Sequence, residues 1–161
     1  MIRDMRIDDC KNLAALSIQV WLDTYAREGI RTEFSEFVLS CFTPAYFEEI
    51  LESCNRHLLV CEIKDHLVGY VSMDTDPERP DTSCIGAEIV TLYIIHAFHR
   101  RGLGSQLVRS ARERCGPRLW LTAWIHNDPA IRFYESIGFK RVGRTWFDLM
   151  GEQHENLILA G

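Results

Sequence analysis

From Ala87 to Ile95 nearly every side chain is apolar, and Ile89, Val90, Thr91, Ile94 and Ile95 are β-branched. An apolar run without alternation predicts a central strand buried on both faces. Glu88 alone interrupts it. After this strand come Gly102 and Gly104, and then a stretch in which Leu107, Val108, Ala111 and Cys115 recur at helical spacing on one face. The order strand, glycine loop, helix makes this the best-defined unit of the chain.

The same reading extends to the rest. Ile2 to Met5 predicts a short edge strand, and Asp8 or Asp9 an N-cap for a helix to about Glu28, closed by Gly29. Leu13, Leu16 and Val20, with Trp21 and Tyr25, keep its helical spacing. Thr32 to Ser53 is helical but divided at Phe42-Thr43-Pro44, because proline removes a donor and disfavours helix just before it. Arg56 to Glu62 and His66 to Met73 predict a hairpin turning at Lys64-Asp65, followed by a polar loop from Asp74 to Ser83.

Beyond the glycine-led helix, Gly116-Pro117 breaks the chain and Arg118 to Ile125 predicts another strand. Asp128 is the expected N-cap of a further helix, with Pro129 at its first position and Gly138 at its end. Phe139 to Met150 and Asn156 to Ala160 predict two last strands around a turn from Gly151 to Glu155. The order is β-α-α-β-β-β-α-β-α-β-β, the second helical stretch being split in two. It predicts an α/β (α+β) chain: a mixed central sheet of about seven strands with helices on both faces, in one domain over residues 1–161.

Composition narrows the function classes. The 161 residues carry a net charge of −5, which disfavours a nucleic-acid partner. No apolar run approaches a membrane span, and MIRDMRIDDC has acids where a signal peptide would be apolar, so the expected compartment is cytoplasmic and no membrane partner is expected. Cys10, Cys41, Cys54, Cys61, Cys84 and Cys115 form neither CxxC pairs nor Cys/His clusters. They read as reduced core thiols, with no metal site.

Against this acidic background, Arg100, Arg101, Arg109, Arg112, Arg114 and Arg118 stand with one acid, Glu113. Positive charge is concentrated at the glycine loop and its helix. Two glycines admit an anion close to the backbone, and the helix start offers unpaired N–H groups and the positive end of its dipole, worth roughly 0.3–1 kcal/mol. A P-loop is excluded because GxxxxGK[ST] is absent, and a dinucleotide loop because Leu107 takes the third glycine position without the following acid. Coenzyme A is the remaining candidate.

His99-Arg100-Arg101-Gly102-Leu103-Gly104 after the strand resembles the acyl-CoA loop of the GNAT N-acetyltransferase superfamily, [QR]-x-x-G-x-[GA], with His99 where that pattern has Gln or Arg. The segment from Asn127 to Phe139, NDPAIRFYESIGF, resembles the superfamily's C-terminal motif at its usual spacing. The whole chain is most similar to PaiA-like polyamine (spermine/spermidine) N-acetyltransferases, through its S-x-x-VW-x-D-TY opening, the W-x-x-N-x-x-AI-x-FY core and the FD-x-M-G-E-x-x-E-N-LI ending.

The resemblance implies a GNAT fold, acetyl-CoA as co-substrate and direct transfer of its acetyl group to a primary amine, a small cationic amine or polyamine being favoured. It implies that Tyr134 protonates the leaving thiolate and that Glu88, 14 residues before Gly102 as in histone-acetylating members, is the base. A water chain is the alternative to Glu88. Contacts to the coenzyme are expected from backbone near Leu92, Tyr93 and Ile94, from His99, Arg100, Arg101, Gly102, Leu103, Gly104 and Ser105, and from Asn127 and Tyr134. His96 and His99 are acids or bases by pKa, but their loop position favours solvent or phosphate contact. The acids Glu48, Glu49 and Glu52, Asp74 to Asp81, and Asp148, Glu152 and Glu155 suit a cation or simply face water; Trp21 and Tyr25 suit an acceptor cleft or core packing. Two other functions stay open: acetylation of a peptide or protein amine, and a non-catalytic acyl-CoA sensor. So does a homodimer.

Overall fold

The computed structural model describes residues 1–149 and 151–161. Its elements are β1 (Ile2–Asp4), α1 (Cys10–Tyr25), α2 (Thr32–Cys41), α3 (Pro44–Glu52), β2 (Arg56–Ile63), β3 (His66–Asp74), β4 (Ala87–Ile94), α4 (Leu103–Cys115), β5 (Leu119–Trp124), α5 (Asp128–Ser136), β6 (Lys140–Leu149) and β7 (Glu152–Ala160). The seven strands are ordered β1-β2-β3-β4-β5-β7-β6, mostly antiparallel, with β4 and β5 parallel. Two compact units share this chain. The first is Met1–Ser72 with Thr91–Ser110, the second Met73–Val90 with Ala111–Gly161.

In the first unit Leu13 and Leu16 of α1, Phe47 and Ile50 of α3, and Leu58, Val60 and Tyr70 of β2 and β3 form one apolar cluster. The expected hairpin is present, with Lys64 and Asp65 at φ 50° and 62°, the left-handed pair of a tight two-residue turn. Tyr70 is the cluster's polar point. Ser17 Oγ gives its hydrogen to the Leu13 carbonyl at 2.7 Å, so across the 2.8 Å contact the Tyr70 hydroxyl is the donor. Ring contacts run from Trp21 to Phe37 at 5.0 Å, Phe42 at 6.1 Å and Tyr93 at 6.3 Å.

In the second unit β7 lies between β5 and β6, with a bulge between Arg141 and Gly143. Leu119, Leu121, Leu157 and Leu159 are buried, and on the alternate positions Trp120 and Ile158 pack with Cys84. Strand β5 is therefore covered on both faces, which is why RLWLTAWI carries no polar alternation. Gly86 sets where β4 begins. Its φ is 92°, and a Cβ there would collide with the Arg118 backbone oxygen, to whose carbonyl Ala87 donates at 3.3 Å.

Several expectations are corrected. Helix α1 ends at Tyr25, short of Glu28; Asp9 stands at its N-cap as expected but makes no side-chain cap bond, its carboxylate accepting instead from Arg6 N at 2.7 Å and from both terminal nitrogens of Arg3 at 2.7 and 3.0 Å. Asn127, not Asp128, caps α5, accepting from Ala130 N at 3.4 Å. The last turn is tight at Gly151, because Asp148 Oδ1 accepts from Gly151 N at 3.0 Å, and β7 starts at Glu152. Met150, to which the sixth strand was expected to extend, lies outside the described residues. Cys41 and Cys54 are exposed instead of in the core; Cys10, Cys61 and Cys84 are buried. Among the described residues no helix is long and apolar enough to cross a membrane.

Candidate active site

In the first unit the end of β4 is pinned before the glycine loop begins. Ile95 donates to the Val68 carbonyl at 2.9 Å, and Gly69 leaves no room for a side chain, since a Cβ would lie 2.6 Å from the Tyr93 carbonyl oxygen. Thus Leu92, Tyr93 and Ile94 lie on a strand end held close to β3. His99 then folds back, its Nε2 to the Ile94 carbonyl at 2.8 Å. A carbonyl only accepts, so Nε2 carries the hydrogen. That contact closes the corner and answers what His99 does in place of Gln or Arg.

After this corner Arg100 and Gly102 take left-handed φ of 59° and 75° around Arg101, and α4 starts at Leu103. Gln106 makes the first return bond, to the Gly102 carbonyl at 3.1 Å. The N–H groups of Leu103, Gly104 and Ser105 therefore fall in the first turn, where a helix has no internal acceptors. Alternating backbone hands of this kind turn neighbouring N–H groups toward one concavity. The space is open: a Cβ at Gly102 would meet nothing nearer than Gln106 Nε2 at 3.8 Å. Arg101 is committed locally, over the Phe98 ring at 4.8 Å and to the Ala97 carbonyl at 3.2 Å. What remains is an anion seat made from backbone, and it suits a diphosphate.

In the second unit Glu88 is the second residue of β4 and faces Trp120 in the parallel ladder, which consists of two pairs, Ala87 with Leu119 and Glu88 with Trp120. Glu88 is half-buried, and its carboxyl is pushed up to about 7, first by burial and then by the negative charge of Asp74. A carboxyl tuned this way exchanges protons at neutral pH. Tyr134, on α5, is buried with Phe139 5.4 Å away. Burial pushes its phenol well above the ordinary tyrosine range, so it stays protonated and can act as a proton donor. No described hydrogen bond uses its hydroxyl. Asn127 caps the same helix.

The expected residues thus fall into two sets. The first unit holds Leu92, Tyr93, Ile94 and the loop from His99 to Ser105; the second holds Glu88, Asn127 and Tyr134. Trp21 is buried against Tyr25, Phe34 and Phe37, which is core packing; Tyr25 also borders a cavity of about 500 Å³ with Arg27, Ile30 and Phe34. The late acids are engaged locally: Glu155 with Arg144 at 2.7 Å, Asp148 with Gly151 and Gln153. Asp74 was legible only as one acid of a polar loop. Its place at the end of a strand that a single loop joins to the strand of Glu88 was the available signal.

The sequence profile of the Acetyltransferase (GNAT) family matches residues 24–139. An uncharacterized N-acetyltransferase of Lactobacillus delbrueckii subsp. lactis is 24% identical, over 94% of this chain and 90% of that protein. The N-alpha-acetyltransferase RimI of Mycobacterium tuberculosis is 31% identical, over 67% of this chain and 68% of its own. Among solved structures, the PaiA N-acetyltransferase of Thermoplasma acidophilum, in complex with coenzyme A, superposes with a TM-score of 0.80 at 17% identity, covering 99% of this chain and 96% of that one. The chain belongs to the acetyltransferase (GNAT) family and is an acetyl-CoA-dependent N-acetyltransferase.

Proposed function

We propose that the acceptor is a small cationic amine of the polyamine class and that Glu88 and Tyr134 move the protons of the transfer. Acetyl-CoA supplies an acetyl thioester. The amine nitrogen forms a bond to the acetyl carbon as the C–S bond breaks; one proton leaves the nitrogen and one reaches the sulfur. An alkylamine is only about one part in two thousand neutral at pH 7, a deficit of roughly 4–5 kcal/mol. Glu88 takes the proton that must first leave the ammonium; the neutral amine then sheds one more as the N–C bond forms, which restores Tyr134 after it gives its own to the departing sulfur. The N–H groups of Leu103, Gly104 and Ser105 hold the diphosphate, and backbone at Leu92 to Ile94 aligns the pantetheine arm. The observation that carries the reading is the place of Glu88, a half-buried carboxyl in register with buried Trp120 and pushed up to about 7 by burial and Asp74.

The resemblance of the opening, core and ending motifs to PaiA-like polyamine N-acetyltransferases supports a polyamine acceptor, and the similarity to the N-alpha-acetyltransferase RimI supports a second reading, the α-amine of a protein. A panel of spermidine, spermine, free amino acids and short peptides, with release of free thiol as readout, separates them. Acetylation of polyamines at least tenfold faster than of peptides is expected. The reverse order selects the second reading, and thiol release with no amine at all overturns both.

A further inference from the structure

We propose that Asp74 is a positioning residue for the reaction: it forms a carboxylate pair with Glu88, in which Glu88 receives the amine's proton and Asp74 acts on it from the end of β3. This rests on the reading of Glu88 as the base. Asp74 closes β3 and Glu88 is the second residue of β4, and the two strands are neighbours in the sheet. The bond from Ile95 to the Val68 carbonyl, at 2.9 Å, joins the end of β4 to the beginning of β3, so the strands run in opposite directions and the end of β3 meets the beginning of β4. Asp74 is itself held, its Oδ1 accepting from Asp76 N at 2.9 Å.

From the loop before β4 the Arg79 guanidinium donates to the Gly86 carbonyl at 3.5 Å, while the Glu88 carboxyl is shifted by burial and by Asp74. From β5 comes Trp120, in register and buried, which does not titrate; from the loop before β4 comes the Cys84 thiol, packed on Trp120 and within reach of the Glu88 charge. Asp74 is thus the charge that raises the Glu88 carboxyl beyond what burial does. Two neighbouring carboxylates resist ionising together, so the proton bound to one depends on the other. A carboxylate in water is a weak acceptor for an ammonium proton. The same group beside Trp120 and a second negative charge is a stronger one.

The test is a carboxyl carbon NMR titration of Glu88, with its signal assigned by its loss in Glu88→Gln, in the wild-type chain and in Asp74→Asn. Alongside it, kcat/KM is measured against pH with acetyl-CoA and the best amine of the panel. In Asp74→Asn the midpoint of Glu88 should fall by half a pH unit or more. The rising limb of the rate profile should move with it, giving a faster variant at pH 5.5 and a slower one at pH 8.5. Asp74→Glu should restore the wild-type midpoint. A merely structural role lowers the rate at every pH and leaves the midpoint in place; that result overturns the proposal. Should Asp74→Asn fail to fold, Asp74→Ser carries the same titration. If the midpoint moves but Glu88→Gln keeps the rising limb, the pair stands and the assignment of the base fails instead.

Discussion

The glycine loop before α4 and the Glu88–Tyr134 set draw their chemistry from different parts of the chain. The loop works through backbone: Leu103, Gly104 and Ser105 offer N–H groups whose directions follow from two left-handed residues and a helix start. The roles proposed for Glu88 and Tyr134 rest on side chains whose proton affinity is set by their surroundings, burial and Asp74 in one case and burial in the other. A backbone device tolerates side-chain exchange and fails when the chain's hand changes. A buried side-chain device tolerates nothing at the reacting atom, yet its neighbours can tune it.

The comparison breaks most visibly at Tyr134. Removing its hydroxyl in Tyr134→Phe should lower kcat about 100-fold or more, the range for a lost general acid. Affinity for coenzyme A, read by calorimetry, should stay within about twofold, since in the proposed mechanism the hydroxyl gives up its proton only as the C–S bond breaks. Equal losses in both would mean that the residue only builds the fold.

Glu88→Gln is next, with an expected loss of about 10- to 100-fold in kcat/KM at pH 8 and of the rising limb near pH 7. It also carries a stability signature. The folded chain holds the Glu88 proton more tightly than the unfolded chain does, because its carboxyl lies at about 7 instead of 4.5. That contribution is fully present below about pH 4.5 and is lost as pH rises through about 7. Glu88→Gln should therefore match the wild type in Tm near pH 4.5 and exceed it at pH 8; the opposite trend would show Glu88 to be stabilised as an anion.

The loop yields smaller effects. Gly102→Val forces a β-branched residue to a φ of 75°, with no atom nearer than 3.8 Å to blame for a clash. The penalty is conformational, about 1–2 kcal/mol, and coenzyme A should bind roughly tenfold more weakly. His99→Gln sharpens the contrast from the other side. A glutamine amide can donate to the Ile94 carbonyl as the imidazole does, so affinity should change by less than about twofold.

This division also explains what could be read before the fold was known. Gly102 and Gly104 announce the loop, because backbone geometry is written in residue type. The divided helix at Pro44 is legible for the same reason; the apolar run of β4 marked a strand but not the expected burial on both faces, since only Ala87 and Ile89 are buried and Val90 is 41% exposed. Asp9 and Asn127 were less so: an acid near a helix start is a cap only if no guanidinium competes for it, and Arg3 does so from β1. Glu88 stood out as the one charge in an apolar strand, but its raised carboxyl depends on burial and on Asp74, which lies on another strand. The turn of the last hairpin was placed late because Gln153 and His154 look like loop residues, whereas in the chain they pair with Asp148 and Phe147.

Residue 86 has no reactive atom and no side chain at all, yet a library of single substitutions should rank it among the least forgiving positions in the protein. Any methyl group there would press on the Arg118 backbone, lever the following strand off its neighbour and displace Glu88, the proposed base, two positions further on. The enzyme's most sensitive lever is thus a place where matter is missing, and efforts to rebuild its specificity should leave that gap unfilled.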